Sequence, residues 1–117
     1  MEVEVFDRPS ALRHFMGDEA RLQKALNSFL RDAPRVFKRL DKALKRGDIR
    51  TVERQAGALR ESAGRLGVEG VEELAVRLLA ACDGGDLSEG PSLLDKMEME
   101  LEWLRRILDD KVCSGNL

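Results

Sequence analysis

Few side chains in this chain of 117 residues have the types and spacing that catalysis needs. His14 is the only histidine, so a Ser–His–Asp set or a cysteine–histidine pair would have to form around it. The carboxylate pairs Glu72/Glu73 and Asp109/Asp110 are adjacent in the sequence, and adjacent residues lie on different faces of a helix. The sequence therefore predicts a protein that is not an enzyme.

The two cysteines and the composition narrow the class of protein further. Cys82 and Cys113 lack the spacing of metal ligands, which is typical of incidental thiols in a reducing compartment. The apolar runs are too short to span a membrane, and the first residues do not have the pattern of a signal peptide. Aromatic residues are 4% and charged residues 36% of the chain, a mixture that favours helices over a β-sandwich. We therefore expect a cytoplasmic, all-α protein without a metal, a cofactor or a membrane partner.

The stretch QAGALRESAGRLG, residues 55–67, places two glycines within an otherwise amphipathic helical pattern. A glycine inside a helix costs about 1 kcal/mol relative to alanine. On the side of this predicted helix opposite its apolar residues, positions three and four apart form one outward stripe. The stripe comprises Glu53, Gly57, Arg60, Glu61 and Gly64. The glycines leave a shallow notch between a cation and an anion, which another backbone or side chain could approach closely. The alternative is a solvent-exposed face whose glycines only weaken the helix.

Two predicted helices precede this stripe, and Gly17 separates them. The first is short, begins after the capping residue Asp7 and has Pro9 in its first turn. Its apolar side comprises Leu12, Phe15 and Met16. Asp18 caps a long second helix whose apolar seam keeps its phase through Pro34, which predicts a helix that is kinked or restarted there. The seam comprises Leu22, Leu26, Phe29, Ala33, Val36, Leu40 and Leu44, with Leu30 and Phe37 on its flank.

Three further helices are predicted after Gly47. Asp48 caps the third helix, Gly67 ends it, the DGGD segment at 83–86 ends the fourth, and residues 88–91 open the fifth. The third seam comprises Ile49, Val52, Ala56, Leu59, Ala63 and Leu66. The inward residues of the fourth are Val71, Leu74, Ala75, Leu78 and Cys82. The fifth seam comprises Leu94, Met97, Leu101, Leu104 and Leu108.

Four long helices with single apolar stripes and short loops predict an antiparallel up-and-down four-helix bundle. The short N-terminal helix remains to cap one open end of the core. We expect a single domain over residues 1–117, with an ordered core over about 7–110 and a frayed tail over 111–117.

Charge is distributed unevenly along the chain. Residues 31–50 hold eight basic and three acidic side chains, a net charge of +5, whereas residues 68–102 hold two basic and ten acidic ones, a net charge of -8. Opposite poles can steer a charged partner, and the alternative is that both are ordinary solvated faces. No base-reading motif accompanies the basic stretch and the whole chain carries -2, so we expect no nucleic-acid partner.

Two stretches of the chain resemble the histidine phosphotransfer (Hpt) domain of bacterial two-component phosphorelays. FMGDEARLQKALNSFLRDAPRVFKRLDKALKRGD is similar to the first half of that family, and QAGALRESAGRLGVEGVEELAVRLLAACDGGD to its signature region. The family pattern there is approximately Ala-His-x-Leu-Lys-Gly-Ser-Ala, followed by x-x-Leu-Gly-Ala. The matching positions are Ala56, Leu59, Ser62, Ala63, Leu66 and Gly67.

The same resemblance places the phosphoaccepting histidine on Gly57, the helper lysine on Arg60 and a small glycine on Glu61. Phosphotransfer needs an imidazole nitrogen as the nucleophile, and Gly57 has no side chain. The resemblance therefore implies a degenerate member that binds a receiver domain or a histidine kinase domain and modulates two-component signalling without carrying phosphate. The partner-binding residues would be Glu53, Gly57, Arg60, Glu61, Gly64 and Arg39.

Two alternatives remain at this point. The chain could be a structural bundle that associates with itself through the notch between Gly57 and Gly64. It could instead transfer phosphate through another residue, for which His14 is the candidate. We expect a monomer or a weak dimer.

Overall fold

Five α-helices make up the described chain, which comprises the backbone of residues 6–115 and the side chains of residues 6–109 in this computed structural model. They are α1 (Arg8–His14), α2 (Glu19–Arg46), α3 (Ile49–Arg65), α4 (Glu69–Gly84) and α5 (Gly90–Gly115). None of the helices in the described part is both long enough and apolar enough to cross a lipid bilayer. The side chains of the tail at 111–117 lie outside the described residues, so its fraying stays a prediction.

The four long helices form the predicted antiparallel bundle. Each packs against the next along the chain, and α5 returns to pack against α2, which closes the ring. The short α1 packs on α2, and its Ala11 is fully buried. The backbone N–H of Asp7 donates to the carbonyl oxygen of Gly67 at 2.7 Å, which joins the start of α1 to the turn between α3 and α4. The predicted capping role of α1 is therefore confirmed.

Three predicted aspartate caps are present. The carboxylates of Asp7, Asp18 and Asp48 each accept a hydrogen bond from a backbone N–H three residues later, where the first turn of a helix lacks a partner. Thr51 Oγ1 also donates to Asp48 at 2.6 Å, and these side-chain and backbone hydrogen bonds lower the pKa of Asp48. Gly47 adopts the left-handed conformation that ends α2 with φ near 67°.

The core consists of one apolar face from each long helix. The predicted inward residues of α4 and the predicted seam of α5 are all buried. Two assignments near α2 were wrong, those of Phe37 and Met16. Phe37 is buried, because it lies on the side of α2 that faces α5. Three predicted seam residues are half-buried and pack against the edge of the core: Val36, Leu44 and Ile49. Met16 is 96% exposed, because α1 ends at His14 and φ of Met16 is +54°, so the helical spacing no longer applies.

α2 continues through Pro34 as one helix. Proline has no N–H, so the carbonyl oxygen of Leu30, four residues earlier, loses its helical donor. In its place, Arg105 of α5 donates Nη2–H to that oxygen at 2.9 Å. A charged donor on a half-buried carbonyl makes a stronger hydrogen bond than a neutral one. The interaction repairs α2 at its weakest point and also ties it to α5.

We expect Arg105→Ala to lower the free energy of unfolding by about 1–3 kcal/mol, because it leaves the carbonyl oxygen of Leu30 without a donor. Pro34→Ala restores the backbone N–H, so the cost of Arg105→Ala should fall to less than half in that background. Urea denaturation of the unaltered protein, the two single variants and the double variant Arg105→Ala/Pro34→Ala gives this double-mutant cycle. Arg106→Ala, at an exposed neighbour, is the matched control and should be nearly neutral. Equal costs in both backgrounds would show that Arg105 acts elsewhere.

Candidate functional site

Gly57 lies at the centre of α3 on a half-exposed part of its surface. A β-carbon at this position would have no heavy atom within 4 Å. The glycine is therefore not required by close packing inside the protein, and any side chain here would project into open space. The position is open to a partner.

The charged neighbours of Gly57 on α3 are available for contact. Glu53, Arg60 and Glu61 are exposed and lie within about one turn of Gly57. None of the three forms an ion pair among the described residues. The open position is thus bordered by one cation and two anions whose charges are free to interact with another molecule.

Gly64 has a different environment from Gly57. A β-carbon at Gly64 would lie 2.7 Å from Oε2 of Glu72, because this side of α3 faces α4. The notch predicted to run from Gly57 to Gly64 is therefore open only at Gly57, and the carboxylate of Glu72 covers its other end. Helical spacing in the sequence predicted that the two glycines share one face of α3. It could not predict that α4 covers the part of this face at Gly64.

Arg39 belongs to the part of α2 that runs beside α3. The two helices are antiparallel about the turn at Gly47 and Asp48, so an equal count from the turn places Arg39 level with Ala56. Arg39 is exposed and forms no ion pair among the described residues. The fold therefore places this cation at the same height along the bundle axis as Gly57.

An apolar groove runs between α2 and α3 and was not predicted from the sequence. Its volume is about 450 Å³. The apolar lining comprises Phe15, Ala25, Phe29, Ala33, Val36, Ala58, Leu59 and Leu66. Polar side chains also line it: Ser28, Asp32, Ser62 and Arg65. Ala58 places one end of the groove at the level of Gly57, but adjacent residues point in different directions on a helix, so the groove faces α2 while Gly57 lies on a neighbouring part of the α3 surface. Small alanines on the facing flanks of two predicted helices were the only signal for it.

His14 lies on α1 and not on α3. Its Nδ1 is 3.0 Å from the carbonyl oxygen of Ser10, one turn earlier, and the residue is exposed. This local contact gives the imidazole no carboxylate partner of the kind that orients a catalytic histidine. Among residues with described side chains, no group of His, Cys, Asp and Glu has the arrangement of a metal site.

Comparison with known proteins agrees with this helical-bundle architecture. The family model for the Hpt domain matches residues 24–107, and the chain belongs to that family. Its structure is similar to the crystal structure of histidine-containing phosphotransfer protein B from Pseudomonas aeruginosa PAO1, with a TM-score of 0.83 and 19% sequence identity. The alignment covers 94% of this chain and 96% of that one. At this identity the likeness shows a common fold. No curated protein matches the chain.

Substitutions at the two glycines should separate the open position from the covered one. Gly57→Ala should raise the free energy of unfolding by about 1 kcal/mol and Gly57→His by about 0.5 kcal/mol, since both are better helix formers than glycine. Gly64→Ala should gain less, because the carboxylate of Glu72 must move to admit the methyl group. Urea denaturation measures all three. A loss of stability in Gly57→Ala would contradict the open geometry.

Proposed function

We propose that this Hpt-domain protein binds a receiver domain or a histidine kinase domain and modulates two-component signalling without carrying phosphate. Two things support the proposal: the chain belongs to the Hpt family, and the resemblance of residues 55–67 to the family signature assigns Gly57 to the position of the phosphoaccepting histidine. A nucleophile is required to accept a phosphoryl group, and glycine has none. Binding of a partner domain does not need that nucleophile, so binding can be retained when the nucleophile is missing.

The surface around Gly57 supports docking in three ways. The missing side chain allows a partner to come close to the backbone of α3. The apolar groove that begins at Ala58 can accept an apolar side chain of the partner, and its polar lining residues can form hydrogen bonds around it. Arg39 and Arg60 are unpaired cations at this level of the bundle, and they would attract the acidic phosphorylation pocket of a receiver domain.

Glu61 would act in the opposite direction to these arginines. Its exposed carboxylate occupies the position of a small glycine in the family pattern and lies one turn beyond Gly57. An incoming phosphoryl group and the acidic pocket of a receiver would both be repelled by it. We infer that the face retains attraction for a partner while it disfavours phosphate at its centre. Such a protein would act by occupying a surface that a phosphate-carrying protein also uses.

The docking surface can be tested with purified receiver domains of the source cell. Arg39→Glu and Arg60→Glu should each slow association by about tenfold at low ionic strength, because cations at the rim of an interface mainly set the association rate. Stopped-flow measurements over a range of salt concentrations would show the effect fading as screening increases. Arg106→Glu on α5 makes the same charge change on another helix and is the matched control. An association rate that is independent of salt and of both substitutions would contradict this docking surface.

The absence of phosphate can be tested by restoring the nucleophile. The unaltered chain should remain unlabelled by a phosphorylated receiver, and Gly57→His should be labelled only weakly, because Glu61 still opposes the phosphoryl group. The double variant Gly57→His/Glu61→Gly should be labelled well above the single variant. A phosphate-binding gel and acid treatment, which removes phosphohistidine, provide the readout.

A His14→Ala variant tests the alternative that the chain carries phosphate on His14. If the unaltered chain acquires acid-labile phosphate and His14→Ala abolishes it, the chain is a phosphocarrier and the proposal is wrong. If Gly57→His alone is labelled as fast as the double variant, Glu61 is not a barrier and the missing histidine is the only functional change at this face.

A further inference from the structure

α5 has an exposed apolar surface that neither the core nor the Gly57 face uses. Met99 is 61% exposed and Trp103, one turn later, is 57% exposed. Ile107 continues the same row on the next turn and is half-buried. We call these three residues the α5 stripe. A tryptophan and a methionine left in water on adjacent turns are unusual on a small bundle, since single exposed apolar residues are common but contiguous large ones mark binding surfaces.

The α5 stripe points away from both the core and α3. The core-facing residues of α5, such as Leu101 and Leu104, are buried on the other side of the helix. In the ring of α2, α3, α4 and α5, the helices α3 and α5 lie diagonally across the bundle. A partner that contacts the outer face of α3 at Gly57 would therefore leave the α5 stripe uncovered.

Exposed carboxylates outnumber exposed cations around the α5 stripe. Within one turn of Met99 or Trp103 on α5, the exposed acids are Asp95, Glu98 and Glu102, and the exposed cations are Lys96 and Arg106. Glu98 and Glu102 are exposed on α5 next to Met99 and Trp103, and neither forms an ion pair among the described residues. The segment 68–102, which forms α4 and the first half of α5, carries a net charge of -8, and Arg105 and Arg106 follow it. The Met99 end of this apolar surface therefore lies in a negative field.

Two further carboxylates at the edge of the α5 stripe lack full compensation. The carboxyl group of Glu100 lies over Gly70 of α4, with its Oε2 buried and without a hydrogen-bond donor. Burial and the nearby carboxylate of Glu73 raise the pKa of Glu100. Glu73 forms only a long ion pair, with its Oε1 3.9 Å from Nη2 of Arg77. Because Oε2 of Glu100 is buried, Glu73 is the carboxylate at this edge that a cation from another molecule can reach.

We propose that the α5 stripe binds a basic amphipathic helix of another protein. Apolar residues of that helix at spacings of three and four would pack on Met99 and Trp103, as in other helix-recognition surfaces. Lysine or arginine residues on its flanks would face Glu98 and Glu102 on one side and the Glu73–Glu100 edge on the other. A second copy of this chain is the less favourable occupant, because contact between like faces would bring Glu98 and Glu102 of one copy towards the same carboxylates of the other.

The test uses Trp103, the only tryptophan in the chain, as the reporter. The probe is a synthetic helical peptide of about 18 residues, or five turns, with leucines along one face and lysines on both flanks. We expect this peptide to shift the Trp103 emission to shorter wavelength in a saturable way. A peptide with glutamates in place of the lysines should not bind. A scrambled peptide of the same composition, which keeps the charge but loses the apolar face, should bind at least about tenfold more weakly, because only the ordered face packs on apolar side chains.

Substitutions in the protein locate the binding surface. Glu98→Lys/Glu102→Lys and, separately, Met99→Ala should weaken binding of the basic peptide by about tenfold or more. Met16→Ala removes an exposed methionine outside the α5 stripe and is the matched control. Arg60→Glu should leave peptide binding unchanged, so failure of this proposal is distinguishable from failure of receiver docking. Circular dichroism confirms that each variant remains helical.

Three results would overturn the proposal. One is equal binding of the basic, acidic and scrambled peptides, and another is no shift of Trp103 emission at millimolar peptide. The third is a dimer in light scattering that Met99→Ala dissociates, because this would show that a second copy occupies the α5 stripe.

Discussion

The hydrogen bond from Arg105 to the carbonyl oxygen of Leu30 connects two requirements of this fold. α2 must remain one helix over 28 residues to pack along α3 and α5, and Pro34 interrupts its hydrogen bonds near the middle. The guanidinium group supplies the missing donor from α5, so the repair of one helix is also the contact that helps close the ring. The second half of α2, which carries Arg39 beside α3, depends on that continuity for its position.

The outer face of α3 that carries Gly57 does not depend on these contacts of α2 and α5. Its inward seam of Val52, Ala56, Leu59 and Ala63 is buried and holds the helix in the bundle. A β-carbon at Gly57 would point away from the core with no heavy atom within 4 Å, so the absence of a side chain there leaves the packing of the core unchanged. On the proposed assignment of Gly57 to the position of the phosphoaccepting histidine, this outward position is the physical reason that the Hpt fold could be retained without the histidine.

The bundle thus has two outer faces with contrasting character. The α2–α3 face combines an apolar groove with unpaired arginines, and the α5 face combines exposed apolar residues with unpaired carboxylates. Partners of opposite charge suit the two faces, and the diagonal placement of α3 and α5 allows both to be occupied together. On the proposals made above, the protein would join a signalling domain on one side to a basic helix on the other.

Sequence patterns alone determined the helices, their aspartate caps and most of the core, because helix capping and apolar periodicity are local properties of the chain. The same local pattern identified Gly57 as an outward position and matched it to the Hpt signature. Tertiary structure decided what lies against each outward face: Glu72 covers Gly64, Phe37 turns to α5, and Arg105 reaches the carbonyl oxygen of Leu30. These contacts join residues on different helices, and helical periodicity specifies which residues share a face but not which helix lies opposite. The groove beside Ala58 and the exposed α5 stripe were hidden from the sequence for that reason.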